Sequence, residues 1–136
     1  MTVPQAGDAL PELVILLTAT RIVAGAIATR DFMPVHHDRA YAASQGAPDI
    51  FMNIISTNGF CSRYLTDWAG SDAIVKRLAI RLGVPAHPGS TLTFTGSVLA
   101  VEHRGDEQFV EVGFRATNAL GNHATGTATL TLPATA

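Results

Sequence analysis

The sequence predicts an α+β domain in which an antiparallel sheet wraps around one long buried helix. Three observations carry this. The chain changes character near residue 70, from helical spacing of apolar residues to alternating spacing. Before that point, Ile50, Ile54, Ile55, Cys61, Leu65 and Trp68 fall near a single stripe of one long helical segment that is apolar around much of its circumference, so it should be largely buried. After it, Ile74, Leu78, Ile80 and Leu82 share one parity, as do Leu92, Phe94, Gly96 and Val98, the mark of strands with one covered face. Strands that follow one another without intervening helices form a meander, and the buried helix is the natural filling for it.

The elements follow in order. Residues 10–17 alternate well enough for a first strand. Thr20 can cap a short helix carrying Ile22, Val23, Ala26 and Ile27 at three- and four-residue spacing, with a strand as competitor because β-branched residues are frequent there. Pro34 disfavours helical geometry at Met33, so Asp31–Asp38 must leave the helix. Asp38 can cap a second short helix through Arg39–Ser44, closed by Gly46. Pro48 and Asp49 open the long helix, which runs from about Ile50 to Trp68 and whose stripe is broken by Asn53, Thr57, Asn58 and Gly59. His103–Asp106 supplies a hairpin turn, Gln108–Thr117 the return strand, Asn118–Asn122 the next turn and Thr125–Leu132 the last strand.

Composition narrows the function classes. The 136 residues suit one domain, 1–136, without repeat or linker. With 47% apolar residues, 15% charged residues and a net charge of −2, the chain should fold as a packed domain, and neither nucleic acid nor an anionic membrane is an expected partner. The apolar run Leu13–Leu17 is too short to span a bilayer, and the N-terminus has no signal-peptide pattern. A single cysteine, Cys61, cannot form an internal disulfide, which fits a reducing cytoplasm. It reads as a small buried hydrophobe rather than a nucleophile, since no histidine lies near it in sequence.

Asp31-Phe32-Met33-Pro34-Val35-His36 resembles the D-x-N-P-x-H motif of the MaoC-like, R-specific enoyl-CoA hydratases. The segment Arg81–Leu92, with Pro85, Pro88 and Gly89, is similar to that family's P-V-x-P-G-D-T-L segment, and Asn118, Gly121 and Gly126 fit its ending. A narrower likeness lies in Ala28–Phe32, Val35–Asp38, Asp49–Phe51 and Tyr64–Gly70, which resemble the small subunits of actinobacterial two-component steroid side-chain hydratases. The resemblance implies the hotdog fold and hydration of an enoyl-CoA from steroid or cholesterol degradation. It also implies a second, longer hotdog chain, together forming a heterotetramer, and no cofactor beyond the coenzyme A of the substrate. Two positions depart from the family pattern. Met33 replaces an Asn that helps order the loop, and Met52-Asn53 replaces the His-Gly that commonly opens the central helix.

Hydration of an enoyl thioester requires water to lose a proton as it attacks Cβ, and Cα to gain one. The resemblance assigns this work to Asp31 and His36, a carboxylate and an imidazole five residues apart across a Pro-containing loop. The sequence leaves open which of them is base and which is acid. The enolate oxygen needs fixed donors, and the backbone N–H of Asn53 in the first helical turn is the candidate. Other residues read more plainly. His36-His37-Asp38 lacks a metal-site pattern, and His37 is expected to orient the loop or lie exposed. His87, His103 and His123 at turns and strand edges are expected to be solvated. Lys76, Arg77 and Arg81 suit a solvated strand face better than a phosphate site, Asp67 and Trp68 end the central helix, and Trp68 reads as a core anchor. Two rival functions remain: a hotdog thioesterase, and a non-catalytic hotdog subunit that shapes a partner's pocket.

Overall fold

The structure is a computed structural model that describes residues 3–134. Strand β1 (Ala9–Leu16) leads into helix α1 (Ala19–Ala28), a 3-10 turn (Pro34–His36), helix α2 (Arg39–Ser44) and the central helix α3 (Ile54–Ala69). Strands β2 (Ile74–Leu82), β3 (Thr91–Arg104), β4 (Glu107–Asn118) and β5 (Gly121–Pro133) complete the chain. All five strands form one antiparallel sheet in the order β1-β3-β4-β5-β2, with β1 and β2 at its edges. No helix of the described residues is long and apolar enough to cross a membrane.

The sheet closes around α3 as the alternation predicts. Leu92, Phe94 and Val98 of β3, Val110, Val112, Phe114 and Ala116 of β4, and Leu130 and Leu132 of β5 turn inward. They meet Cys61, Tyr64 and Leu65 of α3 in one core. Tyr64 lies between Phe94 and Phe114, with ring centroids 5.6 and 6.3 Å away. Phe114 sits in register between Gly96 and Gly126. A Cβ on Gly126 would come within 2.7 Å of the Phe114 ring and 2.5 Å of the Ala79 carbonyl, so the missing side chain makes room for the aromatic.

Three expectations need correction. Thr18, not Thr20, caps α1, its hydroxyl accepting from Arg21 N–H at 3.1 Å; Leu17 N–H is still bound to Ser90 O, and the helix starts as soon as that pairing ends. Helix α3 starts at Ile54, four residues after Ile50, because the Ile50 and Phe51 carbonyls accept from the His87 and His36 rings instead of from helical N–H groups. Phe51 and Met52 N–H tie the segment to the Val35 and Ala86 carbonyls. Ile54 and Ile55 are therefore exposed, while Thr57, read as a break in the apolar stripe, is buried. In β2 the pairing shifts between Val75 and Arg77, leaving Lys76 as a bulge that breaks the common parity. Ile74 and Leu82 are exposed on this edge strand.

The end of α1 delivers Asp31. Asp31 N–H donates to Ala26 O at 2.9 Å and Arg30 N–H to Ile27 O at 3.0 Å, the paired bonds of a Schellman ending. That ending puts Arg30 at φ 57°, a left-handed conformation usually given to glycine. Arg30→Gly should therefore raise unfolding stability by about 1 kcal/mol. A urea midpoint that stays put or falls would contradict this.

Candidate active site

His36 ends the 3-10 turn that Pro34 starts, and its ring is buried against Phe51, edge to face at 5.1 Å. Its Nδ1 lies 2.7 Å from Phe51 O, so that nitrogen carries a hydrogen and donates it to the carbonyl. Nε2 faces Asp31 Oδ2 at 3.3 Å. The two residues singled out in the sequence thus meet. Met33, where the family has Asn, leaves its side chain exposed, but its backbone N–H donates to Asp31 Oδ1 at 3.3 Å and orders the loop. His37 is exposed on the outside of the turn, its Nε2 at 3.3 Å from Phe32 O.

Asn53 plays a part that its type suggests only in retrospect. It is the N-cap of α3, its side-chain oxygen accepting from Ser56 N–H at 3.3 Å. Its amide nitrogen donates to Asp31 Oδ2 at 3.1 Å and to Thr29 Oγ1 at 2.9 Å. The Asn53 hydrogen bond, helped by Met33 N–H and His36, holds the Asp31 carboxyl below the usual carboxylate range against the opposing effect of desolvation. The N–H groups of Asn53 and Ile54 open the helix, where no intrahelical carbonyl can reach them, and both residues line the cleft.

The cleft has a volume of about 350 Å³. Asp31, His36, Met52 and Asn53 form one wall, and the strap Leu82–Pro85 between β2 and β3 forms the other. The strap is pinned to β5: Gly83 N–H donates to His123 O at 2.8 Å and Val84 N–H to Asn122 O at 2.9 Å. A side chain at Gly83 would overlap the Asn122 carbonyl.

His123 was expected in solvent and is instead buried, lining the cleft. Its Nδ1–H donates to Val84 O at 2.7 Å, and Nε2 accepts from the Thr57 hydroxyl at 2.9 Å. Burial pushes its pKa down, which keeps the ring neutral. The pair was missed because Thr57 looked like a polar break in the helix. Its spacing of four from both Asn53 and Cys61 was the available signal, since it puts the three on one face. His87 is likewise half-buried rather than solvated, bound through Nδ1 to Ile50 O at 2.9 Å; His103 is exposed as expected. Lys76, Arg77 and Arg81 are exposed on β2, and Asp67 pairs with Arg63 at 3.2 Å on the surface of α3. Trp68 packs against the core, and burial pushes the Cys61 thiol up to about 12, far from nucleophilic.

No family model matches the sequence. Over 126 residues the chain is 46% identical to the 3-oxo-4,17-pregnadiene-20-carboxyl-CoA hydratase beta subunit of Mycobacterium tuberculosis, covering 93% of this chain and 95% of that subunit. The chain belongs to this family of MaoC-like hydratases. The crystal structure of the ChsH1–ChsH2 complex from Mycobacterium tuberculosis contains a chain that matches with a TM-score of 0.88 at 45% identity, covering 97% of this chain and 99% of that one. The (R)-hydratase from A. caviae matches with a TM-score of 0.86 at 23% identity over 98% of this chain and 100% of its own, a likeness of fold. The sheet wrapped around α3 is the hotdog fold of these hydratases.

The buried neutral His123 has a consequence for stability. Its folded pKa lies below the ordinary value of about 6.5, so below that pH the unfolded chain binds a proton that the folded chain refuses. Stability should therefore fall on acidification below about pH 6.5, by up to about 1.4 kcal/mol per pH unit from this group. Urea midpoints compared at neutral and mildly acidic pH should move less in His123→Gln than in the wild type. An equal dependence would show that His123 does not carry the effect.

Proposed function

We propose that this hydratase adds water across the 2,3 double bond of an enoyl-CoA, with Asp31 and His36 as the acid–base pair. The observation that carries the reading is the approach of Asp31 Oδ2 to His36 Nε2 at 3.3 Å on the wall of the cleft. Water held by the pair gives one proton to it as its oxygen bonds to Cβ. The electron pair of the double bond moves onto the thioester oxygen as an enolate. The pair then returns a proton to Cα, so one water is consumed and neither metal nor redox cofactor takes part. The enolate oxygen is met by the open N–H groups of Asn53 and Ile54, strengthened by the positive end of the α3 dipole.

The acyl group in this reading is a steroid carrying a shortened side chain, on the strength of the 46% identity to a pregnadiene-carboxyl-CoA hydratase subunit. The partner is a second hotdog chain, in a heterotetramer. Two features support assembly. Strand β2 leaves an open sheet edge, and Phe32, Met33, Ile54 and Ile55, which follow Asp31 and Asn53 in the chain, are all exposed and apolar. A coenzyme A substrate and an unpaired Cys61 favour a cytoplasmic location. An intact Asp31–His36 pair is more than a subunit that merely shapes its partner's pocket would need.

The test uses the chain together with the hotdog subunit that copurifies with it. A steroid side-chain enoyl-CoA should lose its conjugated thioester absorbance without release of free thiol, and EDTA should leave the rate unchanged. Asp31→Asn and His36→Ala should each lower kcat by about 10²–10⁴-fold. A wild-type rate in either variant would remove that residue from the mechanism, and release of free coenzyme A would make the protein a thioesterase.

A further inference from the structure

Asn53 uses only its oxygen to cap α3, and its amide nitrogen is not needed for that task. Aspartate would cap at least as well and would also suit the helix dipole. What aspartate could not do is donate to Asp31, 3.1 Å away. At that distance it would set two carboxylates against each other. The choice of amide over carboxylate therefore concerns the two acceptors that Nδ2 serves, Asp31 Oδ2 and Thr29 Oγ1 beside it at the end of α1, rather than the cap of α3.

The proton positions around the pair give that choice a chemical meaning. With Nδ1–H committed to Phe51 O, neutral His36 presents a bare lone pair at Nε2. Asp31 Oδ2 is 3.3 Å from it, so two acceptors face the same point. A water there can donate one O–H to each, and the more basic of the two takes the proton when its oxygen attacks. Asp31 already accepts from Asn53 Nδ2 and Met33 N–H. The titratable or charged groups around it are His36 on the 3-10 turn, Arg30 just before it in the chain and His123 across the cleft. The cleft-lining residues of α3 contribute no charge.

We infer that Asn53 is a positioning residue for the hydration, whose amide holds Asp31 as an oriented anion so that His36 Nε2, and not the carboxylate, takes the proton of the attacking water. This rests on the hydratase reading above. Asp31 then steadies the imidazolium, which returns the proton to Cα. The lowered pKa of Asp31, with the Asn53 hydrogen bond as its largest cause, agrees with that division of labour.

The test separates this inference from the reading beneath it. Asp-selective ¹³C labelling of this chain in the assembled complex, assigned with Asp31→Asn, follows the Asp31 carboxyl directly without substrate. Asn53→Asp keeps the cap and removes the donor; Asn53→Gly keeps the backbone N–H and loses about a few tenths of a kcal/mol of capping. In Asn53→Asp the Asp31 carboxyl should titrate at least about one pH unit higher than in wild type, sharing a proton with its new neighbour. In Asn53→Gly it should move toward the ordinary value of about 3.9. At neutral pH kcat should fall about 10²-fold in Asn53→Asp and about tenfold in Asn53→Gly, with KM changed much less. The acid limb of the wild-type profile should reflect one group, and that of Asn53→Asp two. An unmoved Asp31 titration in both variants would overturn the inference whatever the activity, and so would an unchanged kcat and profile in Asn53→Asp. A shifted titration in a complex that hydrates nothing would instead bring down the hydratase reading.

Discussion

The site depends on four residues that do not form a helix. Ile50–Asn53 sit where apolar spacing would extend α3, yet the backbone of Ile50, Phe51 and Met52 is bonded elsewhere. Phe51 N–H goes to Val35 O and Phe51 O receives His36 Nδ1–H, so the segment grips the 3-10 turn from both sides. Met52 N–H goes to Ala86 O and Ile50 O receives His87, so the same segment also holds the chain just beyond the strap. Asn53 then reaches Asp31. Both walls of the cleft are thus tied by hydrogen bonds to one extended stretch. A helix begun at Ile50 would have used the Ile50 and Phe51 C=O groups internally and left His36 without its tautomer-fixing acceptor.

The other half of the site follows the same logic. His123 is a polar ring inside an apolar sheet, acceptable because both of its nitrogens are satisfied, by Val84 O and the Thr57 hydroxyl. It joins β5 to α3 below the strap, so the floor of the cleft is fastened by neutral hydrogen bonds while the ionised carboxylate is confined to the opposite wall. That separation leaves one anion beside one imidazole, the arrangement that acid–base work across a double bond requires. The exposed apolar residues near Asp31 and Asn53 and the free edge of β2 are features that an assembled hotdog pair would cover.

Much of this was legible in the sequence because the sheet is simple. Even-numbered residues of β4 and β5, and of β3 as far as the register shift after Val98, fill the core, and the turns carry Gly105 and Gly121 where the chain reverses. The parity of Leu92, Phe94 and Val98 thus located the inward face of β3. Periodicity failed where hydrogen bonds outside the local segment decide the conformation: at Ile50–Asn53, at the Lys76 bulge and at the Thr18 cap. The proximity of Asp31 and His36 followed from family resemblance, since five residues of loop do not by themselves point two side chains at one another. His123 and Thr57 are 66 residues apart and meet only through the closure of β5 over α3, which no local pattern encodes. Asn53 was singled out for its backbone, while its side chain, invisible to helical spacing, supplies the bond to Asp31.

The task proposed for the cleft is to direct water to Cβ of an enoyl thioester. Turnover of a steroid enoyl-CoA by the assembled complex in ¹⁸O-enriched water tests it most directly, with mass spectrometry of the intact product. The product should carry one ¹⁸O in a new hydroxyl group of a thioester that is otherwise whole. An ¹⁸O-labelled carboxylic acid with free coenzyme A, or recovery of the unlabelled enoyl thioester, would contradict it.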